Sequence, residues 1–363
     1  MGKSHELNIT ILHSLIMIKK CTKTILAIVA IVGLAVSCGR DTAVVISEVG
    51  QQEHPLPGNN GQEVGQRNGW LSFSGMEAFE ATMAKLHAAE QGVELDNWEK
   101  QFKGFTSWRS AEIVGEEQET ETRVDIPDVL LTTILNDKGR IQIADTVYQL
   151  AADRKEPVLF AISVKQEIPL LKGAEPVRIA GVVAHKIGLH LVPFFPTWED
   201  NDRVVSPYPV SDICNFPSQI LFPWWGQKGG LIYNDNNGNE LSRDNGRNVR
   251  IDYHRWRVGF LFYSSAGVRV KLYKNTRLGG WMSTIKMNSA SIQACSKGLV
   301  IIPGLLPIPY NAQVSASASN ANSLERTLKW AVAPMHIEVV PHHFNFNFSI
   351  NYRGQQISRA IRE

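Results

Sequence analysis

The side chains that could do chemistry in this sequence fall into a few groups, and spacing narrows each. Cys214 and Cys295 can pair in an oxidising compartment, closing a loop of about 80 residues for roughly 4 kcal/mol in the chain-entropy model; equally, each can stay a buried single thiol. His185 and His190 lie five apart in a strand-like run, and His342 and His343 are adjacent. Both pairs therefore face opposite ways if extended, and with no His-Glu-x-x-His in the chain no metal site is expected. Nucleophile elbows, Ser-x-x-Lys pairs, phosphate-cradling loops and dinucleotide fingerprints are missing from the sequence, which disfavours the enzyme classes that declare themselves by short motifs. Glu199, Asp200 and Asp202 beside Trp198 could in principle pair for glycoside hydrolysis, but a polar surface loop is the plainer reading. No cofactor is expected.

Two stretches suggest binding rather than catalysis. Residues 194–225 carry eight aromatics in 32 residues, against 9% for the chain, together with five prolines and Pro193 just before them. Such a segment cannot be a regular central strand. Flat rings stack on sugars and on peptide chains, so Trp198, Trp224 and Trp225 mark a candidate ligand surface; the alternative is a loop packed on its own rings. Residues 240–277 hold nine Arg or Lys against three Asp or Glu. Read as a hairpin turning at Ser264–Gly267, they place Arg255, Arg257, Arg269 and Lys271 on one cationic outer face, with Trp256, Val258, Phe260 and Phe262 on the inner one. That face suits lipopolysaccharide phosphates or acidic glycans, and it equally suits a sheet protected against edge-to-edge aggregation.

The N-terminus gives an address. Lys19, Lys20 and Lys23 precede the twelve apolar or small residues Ile25 to Val36, a span too short to cross a bilayer as a helix and typical of an export signal. Residues 1–16 lengthen that signal, which makes Met17 a candidate start. Ala35-Val36-Ser37-Cys38 resembles the lipobox of bacterial lipoproteins. The resemblance implies that Cys38 is acylated and opens the mature chain. Gly39 rather than Asp follows it, which points to the outer membrane. Acyl chains in the plural anchor a protein stably where one would not.

The elements that must carry these groups can be outlined. Residues 39–69 are polar and broken by Pro55, Pro57 and two Asn-Gly pairs, as expected of a tether. Ser74 with Glu77, then Asp96 with Glu99, mark two helix starts, and Met76, Phe79, Met83 and Leu86 recur at helical spacing. A short turn follows at Ser107 to Arg109, then an acidic run from Glu112 to Asp125. Asp125-Ile-Pro-Asp128 opens another helix. Phe73-Ser-Gly-Met-Glu-Ala-Phe79, Gly104-Phe-Thr-Ser-Trp108 and Leu135-Asn-Asp-Lys-Gly-Arg-Ile-Gln-Ile-Ala-Asp-Thr-Val-Tyr148 together resemble a pattern in uncharacterised envelope lipoproteins of Bacteroidota, over about residues 70–150. Arg140 and Ala144 depart from that pattern. The resemblance implies a lipid-anchored envelope protein and supplies no catalytic residues.

From residue 157 onward strand signals dominate, and Phe344, Phe346, Phe348, Ile350 and Tyr352 alternate with polar residues in period two. The expected fold class is therefore α+β: a small N-terminal helical unit followed by a mostly antiparallel β-sandwich or barrel-like domain. The expected divisions are a signal peptide (1–37), a tether (38–69), a helical unit (70–115), a connector with a helix and a β-hairpin (116–165) and a β-rich domain (166–363). Across 363 residues, 37 Lys and Arg nearly cancel 35 Asp and Glu, and 44% hydrophobic content is that of a globular chain. That balance argues against a nucleic-acid binder or a disordered chain. The expected role is a lipid-anchored, non-enzymatic binding or structural protein of the envelope, with a membrane contact through the anchor and a glycan, lipopolysaccharide or protein partner. The alternative is a surface glycan-binding accessory protein or hydrolase that uses the 194–225 loop.

Overall fold

The computed structural model describes residues 64–90, 92–117, 126–152, 157–187, 203–204, 213–214, 226–233, 241–276, 280–282, 285–334 and 336–362. Cys38, Trp198, Trp224 and Trp225 lie outside the described residues, as does the signal segment. No helix among the described residues is long and apolar enough to cross a membrane.

The first half is a mixed layer. Strands β1 (Val64–Arg67) and β2 (Trp70–Phe73) precede helices α1 (Met76–Ala89), α2 (Gly92–Glu99), α3 (Trp108–Glu117) and α4 (Val129–Ile134). Strands β3 (Arg140–Ile143), β4 (Thr146–Ala151) and β5 (Val158–Ser163), the short helix α5 (Glu167–Leu171) and strand β6 (Val183–Lys186) complete it. The six strands lie in sequence order, with β2 and β3 parallel and the other neighbours antiparallel. Residues expected as tether, helical unit and connector thus share one sheet. Residues 70–73 are a strand because Trp70, Leu71 and Phe73 are buried on both faces of it, which an exposed helix start could not provide. Gly75, extended and without a side-chain cap, stands at the start of α1 where Ser74 was expected to cap.

The second half is mostly antiparallel sheet. Strands β7 (Arg203–Val204), β8 (Gly226–Tyr233), β9 (Val249–Phe260), β10 (Tyr263–Asn275), β11 (Trp281–Met282), β12 (Met287–Ile301), β13 (Ile308–Ala321), β14 (Ser323–Val332), β15 (Glu338–Tyr352) and β16 (Gln355–Arg362) form two five-stranded sheets. One runs β11-β10-β9-β8 with β14 also paired to β10; the other runs β13-β12-β15-β16-β7. Neither closes, so the barrel-like alternative gives way to two open sheets sharing one core. Val249, Ile251, Val268 and Val270 of the first meet Ile292, Phe344, Phe346 and Phe348 of the second in that core, the period-two side of each strand.

The β9–β10 hairpin turns at Leu261–Phe262, not at Ser264–Gly267, with Phe260 opposite Tyr263. With partner numbers that sum to an odd value, each odd-numbered residue of β9 stands opposite an even-numbered residue of β10, so odd-numbered residues of the two strands lie on opposite faces of the sheet. Arg255 and Arg257 therefore oppose Val268 and Ala266 and point between the two sheets, whereas Arg269 and Lys271 oppose His254 and Asp252 on the far side. The expected cationic outer face does not exist. All four residues are buried, Arg255 at 0% and Arg257 at 2% exposure. The small residues expected to form the turn are there for close approach instead. A Cβ on Gly267 would lie 2.1 Å from Cζ2 of Trp256, and the Ser264 hydroxyl bridges the sheets, donating to Val258 O and accepting from Val339 N.

Candidate functional site

Buried charge is used here mainly as mortar. Arg255 Nη1 donates to Phe344 O at 2.9 Å, and Arg257 donates to Val339 O and, at 2.8 Å, to Glu338 Oε2. Burial holds the Arg257 guanidinium below its ordinary value, with Glu338 opposing the shift. On the other face Lys271 pairs with Glu112 of α3 at 3.3 Å. Arg269 and Lys271 border a cleft of about 660 Å³ between the helices and the β13–β14 connection. Arg109, also in its wall, is held by Asp96 at 2.6 Å and by Glu99 at 2.7 Å. The charges facing this cleft are thus largely answered by one another, which makes it a seam between layers.

Two buried carboxyls close that seam. Asp128, wholly buried, caps α4 by accepting from Leu130 N and Leu131 N, and its other oxygen accepts from Tyr263 OH at 2.6 Å and from the Ser265 hydroxyl. Burial raises its pKa against the pull of those four donors. Glu90, which follows α1, accepts from Thr327 N at 2.6 Å and Thr327 Oγ1 at 2.7 Å. Burial pushes its carboxyl up to about 8, although the Thr327 bonds and Arg326 pull it down. Sequence reading placed Asp128 at a helix start and overlooked Glu90, because nothing in the sequence shows what packs over either.

The outer face of the second sheet is of a different kind. Across β13, β12, β15 and β16, Ser317, Ser291, Ser349 and Ser358 stand side by side in register, and Ser319, Ser289, Asn351 and Gln356 form the next row. On the opposite side of the serine row lie Ser315, Gln293 and Asn347. None of these eleven positions is charged. With strands about 4.8 Å apart and same-face residues about 6.8 Å apart along each strand, they make a flat grid of hydroxyls and amides. A depression of about 570 Å³ in this region is lined by Ser291, Gln293, Ser315 and Asn347, by the core-side Ile292 and Phe348, and by the cation Arg326 of β14. The hydroxyls already bond among themselves in places, as Ser358 and Gln356 do to Ser349 at 3.0 Å. The Oδ1 of Asn347 accepts no bond.

The proline-rich segment 194–225 is fastened beside this grid. Arg203 and Val204 pair with Arg362 and Ile361 at the sheet's edge. Cys214 is bonded to Cys295 of β12, with their Cα atoms 5.5 Å apart. Cys295 is on the same face as Gln293, one step along the strand. Around the bond, Lys297 Nζ donates to Cys214 O at 2.8 Å, and Asn345 Nδ2 donates to Ile213 O at 3.1 Å. His343 thus serves a hydrogen-bond cluster, with Nε2 at 3.2 Å from Ile213 O. No group of three or more His, Cys, Asp or Glu that could hold a metal occurs among the described residues.

The grid was legible only in part. The alternation in β15 shows in the sequence, but β13 pairs Ser with Ala rather than with large apolar residues, so its period is nearly invisible on a hydrophobicity scale.

No family model and no curated protein matches the chain. A solved DUF4848 family protein from Bacteroides thetaiotaomicron is similar to it at 12% identity and a TM-score of 0.21, over 83% of this chain and 100% of that one.

Proposed function

We propose that this chain is a lipid-anchored, non-enzymatic protein of the bacterial outer membrane that binds an uncharged glycan on the outer face of its second sheet. In this reading the chain is an α+β protein in which a small helix-bearing N-terminal layer braces an antiparallel sandwich. The observation that carries the reading is the grid of eleven uncharged hydroxyl and amide side chains in register across four strands. Sugar hydroxyls both donate and accept, and so do Ser, Asn and Gln. None of the eleven side chains carries a charge that would answer a charged ligand. The disulfide joins Cys214, within the segment 194–225, to Cys295 on the face that carries Gln293, and this reading takes the rings of Trp198, Trp224 and Trp225 as the aromatic component usual in sugar recognition.

The test is a glycan array probed with the intact protein, with Gln293→Ala/Asn347→Ala and with Trp224→Ala/Trp225→Ala. Both double variants should lose at least tenfold in affinity while keeping the wild-type thermal midpoint. Binding that ignores both, or no binding to any neutral glycan, sinks the reading. The anchor is tested separately, since Cys38→Ala should abolish incorporation of labelled palmitate.

A further inference from the structure

The segment from Val164 to Val183 covers one face of the first sheet. Its inward side chains Leu170 and Ile179 pack on Trp70, Val147, Phe160 and Ile162. Its outward side chains are also apolar: Ile168 is 59% exposed, Leu171 47% and Val177 54%. Scattered exposed hydrophobes need no explanation, but three within ten residues of one segment do. Around them Lys165, Lys172, Arg178 and Lys186 are exposed. Of the two acids in the segment, Glu167 is buried and held by Arg67, and Glu175 is paired with Arg178 at 3.4 Å. An apolar patch rimmed by cations is the pattern of a surface that meets anionic lipid. The apolar groups enter the boundary of the acyl region, and the Lys and Arg heads stay with the phosphates.

The site's position in the chain strengthens this. Glu167, at the start of α5, is bonded to Arg67 of β1, so the patch adjoins the strand by which the N-terminal chain enters the fold. Val64 follows Cys38 by 26 residues, and a chain of that length reaches on the order of 90 Å at most. An acylated Cys38 would thus hold the patch at high effective concentration near a bilayer, where even weak docking is populated.

We propose that the surface carrying Ile168, Leu171 and Val177 docks on the anionic phospholipid bilayer that holds the protein's own acyl chains. The proposal rests on the lipid-anchor reading. It adds that the folded body lies against the membrane by this face, leaving the uncharged grid as a separate surface.

Hydrogen exchange on the acylated, full-length protein tests it, in vesicles containing phosphatidylglycerol, in neutral phosphatidylcholine vesicles and in neutral detergent. Amides between Glu167 and Val183 should exchange at least fivefold more slowly on phosphatidylglycerol vesicles than in detergent. Ile168→Asp/Leu171→Asp should erase that protection while the protein stays vesicle-bound and keeps its thermal midpoint, because both side chains are exposed. A vesicle-bound protein whose segment exchanges as in detergent overturns docking and leaves the anchor standing. Equal protection on neutral vesicles overturns the anionic-lipid assignment. A protein with no acyl mass on Cys38 overturns the anchor and this proposal with it.

Discussion

Glu90 is a carboxyl held where water barely reaches, with Thr327 donating twice to one oxygen and His87 Nδ1 lying 3.6 Å from the other. Burial lowers the His87 pKa, with Lys329 and Arg326 adding to the effect, which biases that imidazole towards its neutral form beside Glu90. Unfolded, Glu90 should titrate near its ordinary 4.5; folded, near 8. Between those values the folded chain keeps a proton that the unfolded chain has lost, so this contribution to stability is whole below about pH 4.5 and declines as pH rises to 8. At 1.36 kcal/mol per pH unit the loss is at most about 5 kcal/mol. Arg326 and Asp128 also act on this carboxyl, with opposite signs. Urea unfolding at pH 5 and pH 8 should show wild-type stability falling with pH, and Glu90→Gln, which keeps an acceptor for Thr327 without the titration, should flatten the fall. An equal slope in both proteins would remove Glu90 as its cause.

Small residues in β10 decide how the elements meet. Ser265 and Tyr263 reach Asp128, and through it the first turn of α4, so one carboxyl both caps a helix and docks it on a sheet. Asp128→Ala removes the cap and strands two donors, and should cost about 3 kcal/mol or more in urea unfolding; Tyr263→Phe, losing one bond, should cost about 1–2 kcal/mol. Gly267 gives Trp256 its place, since an added Cβ would also come within 2.5 Å of Arg326 O. Gly267→Ala should therefore destabilise by about 3 kcal/mol, the upper range for overpacking, seen as a lowered thermal midpoint. These contacts explain what the sequence showed and what it hid. The helix start at Asp128 and the alternation of Phe344, Phe346 and Phe348 are local patterns, and both stand in the structure. Ser264 to Gly267 reads as a turn because serine and glycine are turn formers, yet here they are small because a helix, a tryptophan ring and a second sheet press on that stretch. That pressure is tertiary, and a one-dimensional pattern carries no trace of it. The charges of Arg255, Arg257 and Lys271 misled for the same reason, their hydrogen-bond partners lying 89, 82 and 159 positions away in the chain.

At the scale of the molecule, contacts between distant segments outweigh local ones, and the Cys214–Cys295 bond is the longest-acting of the covalent ones described. It closes a separation of 81 residues that includes β8, β9, β10 and β11, fastening the proline-rich segment on one sheet to a loop that contains most of the other. A closure of that length limits the unfolded chain by about 4 kcal/mol in the entropy model. The same bond lies next to Gln293 on the uncharged face, so it has two roles that one substitution can separate. Cys214→Ala/Cys295→Ala should lower the urea midpoint, and reductant should lower the wild-type midpoint to meet it. Well below that midpoint the variant's sheets stay folded, because Phe344, Phe346 and Ile292 pack without the bond. If the fastened segment contributes to the binding face, the variant should then bind a neutral glycan more weakly by about tenfold while the Gln293 and Asn347 side chains remain in place. Glycan affinity unchanged in a variant of lowered midpoint would confine the disulfide to stability and leave the Ser, Asn and Gln grid as the whole of the site.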